Sequence, residues 1–258
     1  MSTLTVKYPV FIPTKGRAET AALPKVLQEG GLPFTLVVEP QDEAAYREYW
    51  SEVGLLVLPE NDRGIAYSRE WLLAHTRAAG IQRYWQIDDN IRGFGAVANR
   101  TVTTVPPAEA LGGAEKLVRN LGNVALVGLD YQQYGWGARR QYTLNRRTYC
   151  CVLTETGTGI QYRDVPLKED VDFCLQHLAA GFVTVLVHRY VMYKPTMAAI
   201  VGGNAEAYRQ GLDLRGVHRL IELWPQLGLR LVRKRRRWDV AVPWCRFTQQ
   251  PSIRGGVV

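Results

Sequence analysis

Apolar and polar positions form alternating blocks along the first ninety residues. Four nearly continuous apolar runs predict buried strands at 6–13, 34–39, 55–60 and 83–88. Three segments between them have the composition and spacing of helices, at 18–29, 41–52 and 64–80. Strands without polar alternation that alternate with helices are typical of a parallel sheet with both faces covered. The pattern therefore predicts an α/β fold in which ligands lie at the carboxyl ends of the strands.

The second half of the chain is less regular. Apolar runs at 123–130 and 182–188 predict two more strands, and helical spacing of apolar residues predicts a helix at 166–181. Residues 131–149, here called the aromatic segment, interleave tyrosines and a tryptophan with arginines and predict an irregular subdomain. The sequence GGN at 202–204 predicts a tight loop.

Charge is distributed unevenly over the 258 residues. The net charge of +8 comes from residues 209–258, which contain eleven Arg or Lys against three acidic residues. We therefore expect one domain over 1–208 and a basic C-terminal extension, 209–258, packed on the same domain. Its densest part, RKRRRW at 233–238, suits a polyanion such as nucleic acid, and the alternative is a solvated basic face.

The sequence shows no targeting segment and no zinc motif. No apolar run approaches the roughly 18–20 residues of a membrane span, and the N-terminus does not resemble a signal peptide. The four cysteines form no CxxC pair, which predicts free thiols and no structural zinc. We therefore expect a protein of the reducing cytoplasm with no membrane partner.

Two adjacent aspartates end the fourth predicted strand, in the stretch RYWQIDDNIR at 83–92. Like charges side by side repel, so a lysine, an arginine or a metal ion has to neutralise Asp88 and Asp89. Carboxylate and amide oxygens suit Mg²⁺ or Mn²⁺, which gives one interpretation of these residues and Asn90. The other interpretation is a turn, because Asp and Asn form local hydrogen bonds with the backbone. Taken alone, the stretch favours the turn.

An arginine on the apolar face of a predicted helix changes that balance. Arg69 lies at helical spacing between Ile65, Leu72 and Leu73. A guanidinium in such a place needs an anion, either a neighbouring carboxylate or a phosphorylated ligand with its metal-bound acids. Pairing of Arg69 with the Asp88 region agrees with both alternatives.

Acidic residues begin the helix predicted at 166–181. Glu169 and Asp170 lie in its first turn, where the helix dipole favours acids and where they commonly cap the helix. The functional alternative is a general base, because a carboxylate within hydrogen-bond reach of a hydroxyl removes its proton as the oxygen attacks. Asp170 is the preferred base, and Asp172 is a weaker alternative.

The order of these motifs resembles that of a GT-A glycosyltransferase. FIPTKGRAE, a strand ending in Glu39, GIAYSREWL, QIDDN and KEDVDFCLQHLAAGF follow one another within about residues 5–210. More narrowly, PTKGRAE, WQIDDNI and the KP…GGN…Y segment at 194–208 resemble the TET-associated glycosyltransferases. That family is found largely in bacteriophages and is associated with glycosylation of 5-hydroxymethylpyrimidines in DNA. The resemblance implies a GT-A-like, mostly parallel sheet flanked by helices, and a phage-encoded member would act in the host cytoplasm.

The resemblance also implies roles for individual residues. Contacts with the nucleotide sugar are implied for Pro13, Thr14, Arg17, Glu39, Arg69 and Asp88. A divalent ion, Mn²⁺ or Mg²⁺, is implied on Asp89 or Asn90, with His188 as a late ligand. Asn90 stands where the family motif has a third acid, which weakens the implied metal dependence, and the alternative for His188 is a structural histidine. The Glu169–Asp170 pair is implied to supply the base, Asp170.

The implied reaction moves a sugar from a UDP-sugar, first of all UDP-glucose, to the hydroxyl of 5-hydroxymethylcytosine or another 5-hydroxymethylpyrimidine in DNA. Two basic regions are candidates for DNA contact. In the aromatic segment the candidates are Trp136, Arg139, Arg140, Arg146 and Arg147. In the extension they are Arg233, Lys234, Arg235, Arg236 and Arg237. The alternatives are a GT-A enzyme with a carbohydrate, lipid or protein acceptor, a non-catalytic DNA-binding protein, and ordinary packing for the tyrosines.

Overall fold

The computed structural model describes residues 5–195, 205–234 and 237–253. The strands are β1 (Val10–Pro13), β2 (Thr35–Val38), β3 (Gly54–Val57), β4 (Arg83–Ile87), β5 (Gly93–Ala98), β6 (Thr101–Val105), β7 (Leu121–Gly122), β8 (Val124–Tyr131), β9 (Tyr142–Leu144), β10 (Cys151–Glu155), β11 (Val183–Tyr193), β12 (Arg230–Lys234), β13 (Arg237–Ala241) and β14 (Ser252–Ile253). The helices are α1 (Ala22–Glu29), α2 (Glu43–Tyr49), α3 (Gly64–Ala78), α4 (Pro107–Val118), α5 (Gln132–Gly135), α6 (Glu169–Ala179), α7 (Ala205–Arg209) and α8 (Leu212–Leu223). Short 3-10 turns lie at Pro40–Asp42, Thr156–Thr158, Pro225–Leu227 and Trp244–Arg246.

Among the described residues, ten strands form one sheet in the order β3-β2-β1-β4-β10-β8-β11-β5-β6, with β9 beside β11. The pairs from β3 to β4 are all parallel, and so is the pair of β8 with β11. Strands β5, β9 and β10 run against the direction of the other seven. The predicted α/β class and the mostly parallel sheet are confirmed.

The six predicted strands correspond to β1, β2, β3, β4, β8 and β11, and the predicted helices to α1, α2, α3 and α6. Several elements were not predicted. Among them are the hairpin of β5 and β6, helix α4, the elements of the C-terminal extension, and strand β10, which lies between β4 and β8. The aromatic segment contains the short α5 and the strand β9. The predicted loop at 202–204 lies outside the described residues.

Helices cover both faces of the sheet. Successive side chains of β4 point to opposite faces, so Tyr84 and Trp85 enter different cores. Trp85 packs in the core formed with α1 and α4, and Tyr84 packs in the core formed with α3 and α6. Both side chains are completely buried. This double coverage explains why the parallel strands appear in the sequence as continuous apolar runs.

The basic C-terminal extension packs against helix α6. A third apolar core joins Val171 and Leu175 of α6 to Val217 of α8 and Val240 of β13. The backbone N–H of Trp238 donates to Asp213 at 2.6 Å, which attaches the β12–β13 hairpin to α8. The extension is therefore close to the residues at the start of α6.

Two expectations about composition concern the cysteines and the membrane. All four cysteines are free thiols, as expected, and the structure buries Cys150, Cys151 and Cys174. The longest helix in the described part of the chain is α3, with 15 residues. No helix there combines the length and apolar character needed to cross a membrane.

Candidate active site

Asp88 and Asp89 follow β4 at the carboxyl edge of the sheet, and Asp89 and Asn90 form a turn. The backbone N–H of Asp88 donates to the carbonyl of Cys150 at 2.8 Å, which connects the turn to the start of β10. The backbone N–H of Leu23 donates to the carbonyl of Asp89 at 2.9 Å, which connects it to α1. The stretch is thus a turn, and the turn presents both carboxylates at the edge where ligands bind in such sheets.

Asp89 is bound by the loop that follows β1. Its Oδ1 lies 2.8 Å from Nη1 of Arg17, and its Oδ2 accepts a hydrogen bond from Oγ1 of Thr14 at 2.8 Å. The same hydroxyl lies 2.7 Å from Oη of Tyr46. Burial raises the pKa of Asp89 above its usual range, against the opposing effect of Arg17. Both carboxylate oxygens of Asp89 therefore already have partners.

Asp88 is bound by two cations. Its Oδ2 lies 2.6 Å from Nζ of Lys194, directly after β11, and its Oδ1 lies 3.4 Å from Nη2 of Arg69. Burial acts to raise the pKa of Asp88, but Lys194 and Arg69 outweigh it and hold the pKa below its usual range. The pKa of Lys194 is raised, because Asp88 outweighs the effect of burial on the ammonium. The expected pairing of Arg69 with the Asp88 region is confirmed.

Arg69 also contacts the first turn of α6. Its Nη1 donates to Oε1 of Glu169 at 2.9 Å, and both side chains are buried. Oε2 of Glu169 is buried with no hydrogen-bond partner in the described part of the chain. Burial raises the pKa of Glu169 to about 7, although Arg69 acts to lower it. We call Arg17, Arg69, Asp88, Asp89, Glu169 and Lys194 the Asp88 cluster.

Asp170 points to the aromatic segment. Its Oδ2 accepts hydrogen bonds from Nε and Nη2 of Arg147, at 3.0 and 2.7 Å. The Arg147 guanidinium lies 5.5 Å from the ring centroid of Tyr149, which is 4.8 Å from the ring centroid of Tyr131. The side chain of Asp170 is 17% exposed, against 6% for Glu169. Of the two acids, Asp170 is therefore the more exposed to solvent.

The remaining residues expected at the nucleotide lie at the same edge of the sheet. Pro13 is the last residue of β1. Glu39 follows β2, is buried, and accepts hydrogen bonds from Gln41 at 2.7 Å and from the backbone N–H of Asp62 at 3.1 Å. Its carboxylate also lies 2.8 Å from Nζ of Lys15. The structure therefore brings Pro13, Thr14, Arg17, Glu39, Arg69 and Asp88 to neighbouring strand ends.

A divalent metal ion does not fit this arrangement of charges. The four carboxylate oxygens of Asp88 and Asp89 each have a cation or hydroxyl beside them. The amide oxygen of Asn90 has no partner among the described residues, but it is buried out of solvent contact. A divalent ion on Asp88 would be next to the Lys194 ammonium and the Arg69 guanidinium, and like charges repel. Ion pairs already neutralise the two aspartates.

His188 is engaged elsewhere. Its Nδ1 lies 2.9 Å from Oδ2 of Asp130, and its Nε2 lies 2.7 Å from Oγ1 of Thr143. Within residues 5–195, 205–234 and 237–253, no three side chains of His, Cys, Asp or Glu converge on a point that could hold a metal ion. The contacts of His188 join β11 to β8 and β9, which agrees with the structural alternative.

The candidate DNA-binding residues of the aromatic segment divide into two groups. Trp136, Arg139 and Arg140 are exposed. Arg146 and Arg147 are partly buried, and Arg147 is paired with Asp170 as described above. Tyr134, one of the tyrosines of the aromatic segment, is 63% exposed and packs edge to face on Tyr131. A series of contacts therefore leads from the exposed Tyr134 through Tyr131 and Tyr149 to Arg147, the partner of Asp170.

The basic hairpin of the extension is partly neutralised by its own acid. Lys234 lies 2.9 Å and Arg237 3.8 Å from Oδ2 of the buried Asp239. The Arg233 guanidinium lies 5.2 Å from the ring centroid of Trp238. Arg235 and Arg236, also expected to bind DNA, lie outside the described residues.

Lys194 and Tyr46 are site residues that the sequence did not single out. Lys194 was recognised only as part of a segment resembling the family, although a lysine directly after a long apolar strand is a detectable signal. Tyr46, which holds Thr14, lies on the buried side of α2 and has the appearance of a core residue. The pairing of Arg147 with Asp170 spans 23 residues, and no local pattern indicates it.

Comparison with known protein families gave a match over most of the chain. The sequence model of the TET-associated glycosyltransferases matches residues 8–203. A search of curated proteins gave no match.

Three solved structures are distant likenesses. A protein from Desulfovibrio desulfuricans G20 assigned to the nucleotide-diphospho-sugar transferases has 8% identity and a TM-score of 0.43, covering 70% of this chain and 79% of that chain. A 4-diphosphocytidyl-2C-methyl-D-erythritol synthase has 12% identity and a TM-score of 0.41, covering 80% and 98%. A mannose-1-phosphate geranyltransferase from Thermus thermophilus has 16% identity and a TM-score of 0.33, covering 83% and 64%.

Proposed function

The chain belongs to the family of TET-associated glycosyltransferases, and on that premise we propose that it transfers a sugar from a UDP-sugar to the hydroxyl of a 5-hydroxymethylpyrimidine in DNA. The chain is a glycosyltransferase with a nucleotide-sugar donor, as its family implies. The proposal concerns the acceptor, the base and the choice of UDP-glucose as the first donor to test.

The contact of Arg147 with Asp170 carries the proposal. It joins the candidate base to the aromatic segment, because the same guanidinium lies 2.7 Å from Asp170 and 5.5 Å from the Tyr149 ring centroid. Aromatic rings beside arginines stack on bases and hold phosphates. A nucleobase bound on the rings of Tyr149 and Tyr131 brings its 5-substituent to the side of Asp170. A carbohydrate, lipid or protein acceptor would not explain why tyrosine rings and an arginine lie beside the candidate base.

The donor is proposed to bind across the ends of β1, β2 and β4. Thr14 and Arg17 follow β1, Glu39 follows β2, and Asp88 follows β4. Carboxylates at such positions accept hydrogen bonds from ribose hydroxyls, and cations beside them attract the diphosphate. The donor sugar then lies between the Asp88 cluster and Asp170.

The chemistry assigned to the site is a single displacement at the anomeric carbon. The acceptor hydroxyl oxygen forms the new bond to that carbon as the bond to the β-phosphate oxygen breaks. The electron pair leaves with the nucleoside diphosphate, and the hydroxyl proton passes to the carboxylate of Asp170. Cations of the Asp88 cluster stabilise the charge that develops on the leaving diphosphate.

DNA contact is proposed to involve both basic regions. The 5-substituent of a pyrimidine faces the major groove, so the exposed Trp136 and Tyr134 meet it from that side or stack on a flipped base. Arg139, Arg140 and the β12–β13 hairpin are then available for phosphate contacts. Such contacts weaken steeply as salt concentration increases.

The experiment that tests the proposal measures modified nucleosides. The protein is incubated with UDP-glucose and duplex DNA containing 5-hydroxymethylcytosine, and the digested DNA is analysed by mass spectrometry for a hexosylated nucleoside. Asp170→Asn serves as the matched control for the base, and DNA with unmodified cytosine serves for the acceptor. Hydrolysis of several UDP-sugars without transfer to either 5-hydroxymethylcytosine or 5-hydroxymethyluracil would favour an enzyme with another acceptor.

A further inference from the structure

Each carboxylate of the Asp88 cluster has a side-chain cation beside it. Asp88 lies 2.6 Å from Lys194, Asp89 lies 2.8 Å from Arg17, and Glu169 lies 2.9 Å from Arg69. These cations come from the loop after β1, from α3 and from the end of β11, three separate parts of the chain. Cationic side chains of the protein therefore neutralise the acidic motif that the resemblance associates with a metal ion.

Lys194 is the cation best placed for a ligand phosphate. It follows β11, which runs parallel to β4 through the sheet, so it lies at the same edge as Asp88. An ammonium has three N–H donors, and Asp88 takes one of them. The side chain is 12% exposed. Within the described part of the chain, the ammonium therefore keeps donor capacity for an oxygen of a ligand.

We propose that Lys194 binds the diphosphate of the donor and that nucleotide binding needs no divalent metal ion. This proposal rests on the proposed function in one respect, because it takes a nucleoside diphosphate as the ligand. It does not depend on the identity of the acceptor. Lysine binds phosphate as a point charge, and a fixed cation next to the departing diphosphate stabilises its developing charge. The two aspartates act as positioning residues, because each holds a cation in place at the strand ends.

The first test compares UDP binding with and without metal. Isothermal titration calorimetry is performed on the wild-type protein in EDTA and again in excess Mg²⁺ or Mn²⁺, with GDP, ADP and CDP as further probes. We expect affinities for the preferred nucleotide that agree within about threefold, because the neutralising charge is part of the chain. Binding that requires the divalent ion, or no binding of any of these nucleotides, would overturn the proposal.

The second test replaces Lys194. In EDTA, Lys194→Ala should weaken nucleotide binding by about tenfold or more, and Lys194→Arg should restore most of the loss, since a charge-assisted bond to phosphate is removed and then returned. Lys116→Ala, which removes one charge from an exposed position of α4, is the matched control. Unchanged affinity in Lys194→Ala would refute the phosphate contact. If Lys194→Ala does not fold, the wild-type comparison still decides the question of the metal.

The two proposals fail in different ways. Metal-free nucleotide binding together with no transfer to DNA would refute the acceptor and leave the role of Lys194 intact. Transfer to 5-hydroxymethylcytosine that stops in EDTA, together with metal-dependent UDP binding, would refute the role of Lys194 and leave the acceptor intact.

Discussion

Arg147 donates two hydrogen bonds to a single carboxylate oxygen of Asp170, from Nε at 3.0 Å and from Nη2 at 2.7 Å. The other oxygen of Asp170 accepts from the backbone N–H of Val171 at 2.8 Å. Three donors thus fix the orientation of a carboxylate in the first turn of α6. The structure makes Arg147 a positioning residue for the proposed base.

Arg147→Ala should lower kcat for sugar transfer by about 10- to 100-fold, because misorientation of a catalytic group costs rate while donor binding is retained. The KM for the nucleotide sugar should change little, since the donor is proposed to bind at the ends of β1, β2 and β4, away from Arg147. Steady-state kinetics with varied donor concentration measure both. Arg147→Lys should recover part of the rate, and Arg119→Ala, at an exposed arginine after α4, is the control for loss of charge. An increase in KM alone would contradict the positioning role.

Thr14→Val should weaken both folding stability and nucleotide binding. The substitution removes the hydroxyl that lies 2.8 Å from Asp89 and 2.7 Å from Tyr46, and it leaves buried polar groups without a partner. Such a loss costs about 1–3 kcal/mol of unfolding free energy. Urea unfolding measures the stability, and calorimetry with UDP measures the binding. Thr14→Ser keeps the hydroxyl and removes only the methyl group. If Thr14→Ser is as unstable as Thr14→Val, the methyl group and not the hydroxyl stabilises the fold.

The sequence predicted the structure best where neighbouring residues in the chain determine the surroundings of a side chain. Continuous apolar runs predicted six strands of the sheet, and the place of Arg69 between Leu72 and Ile65 predicted its pairing with an anion. The partners of Asp88 were not predictable in the same way, because Lys194 is 106 residues away. The question whether a cationic side chain or a metal ion neutralises Asp88 and Asp89 depended on that long-range contact.

Helix α4 was not predicted, for a local physical reason. It contains Gly112 and Gly113, and glycine is unfavourable in helices by about 1 kcal/mol relative to alanine. The packing explains at least one of them, since a Cβ on Gly113 would lie 2.3 Å from the ring of Tyr190. Arg147 was assigned to DNA by composition, but its carboxylate partner lies in α6. Composition identifies the kinds of residue in a region and does not determine their partners.

Gly216→Ala should destabilise the contact between the extension and α6. A Cβ on Gly216 would lie 1.8 Å from the carbonyl oxygen of Pro166, just before α6, so the backbone itself would have to move. Overpacking of this kind costs about 1–3 kcal/mol. Thermal unfolding measures the loss, and lower transfer activity should accompany it because the segment leads into Glu169 and Asp170. Gly228→Asn, at a left-handed position with open space, is the control for substitution in the extension. A Gly216→Ala protein as stable as wild type would contradict the packing.

Asp239→Asn should remove a pH-dependent part of the stability. Burial acts to raise the pKa of Asp239, but Lys234 and the buried Lys168 outweigh it and lower the pKa to about 2. A carboxylate with a lowered pKa in the folded state stabilises the fold above its ordinary pKa, and the contribution is lost as the pH falls through the folded value. From an ordinary value of 3.8, the wild type should lose about 2 kcal/mol more than Asp239→Asn between pH 5 and pH 2. Urea unfolding of both proteins across that range measures the difference, and a constant difference would contradict the assignment.

Arg233→Gln should reduce the salt dependence of DNA binding. Arg233 lies over the ring of Trp238 and, unlike Lys234, is not paired with Asp239 in the described part of the chain. Its guanidinium is therefore available for a phosphate. Each phosphate contact contributes about −0.9 to the slope of log K against log salt concentration, so the slope should become shallower by about that amount. Fluorescence anisotropy with a labelled duplex at several salt concentrations measures the slope.

Nucleotide binding should be unaffected, and Arg119→Gln is the control for loss of one surface charge. A slope equal to that of the wild type would place the phosphate contacts elsewhere, with the exposed arginines of the aromatic segment as the next candidates.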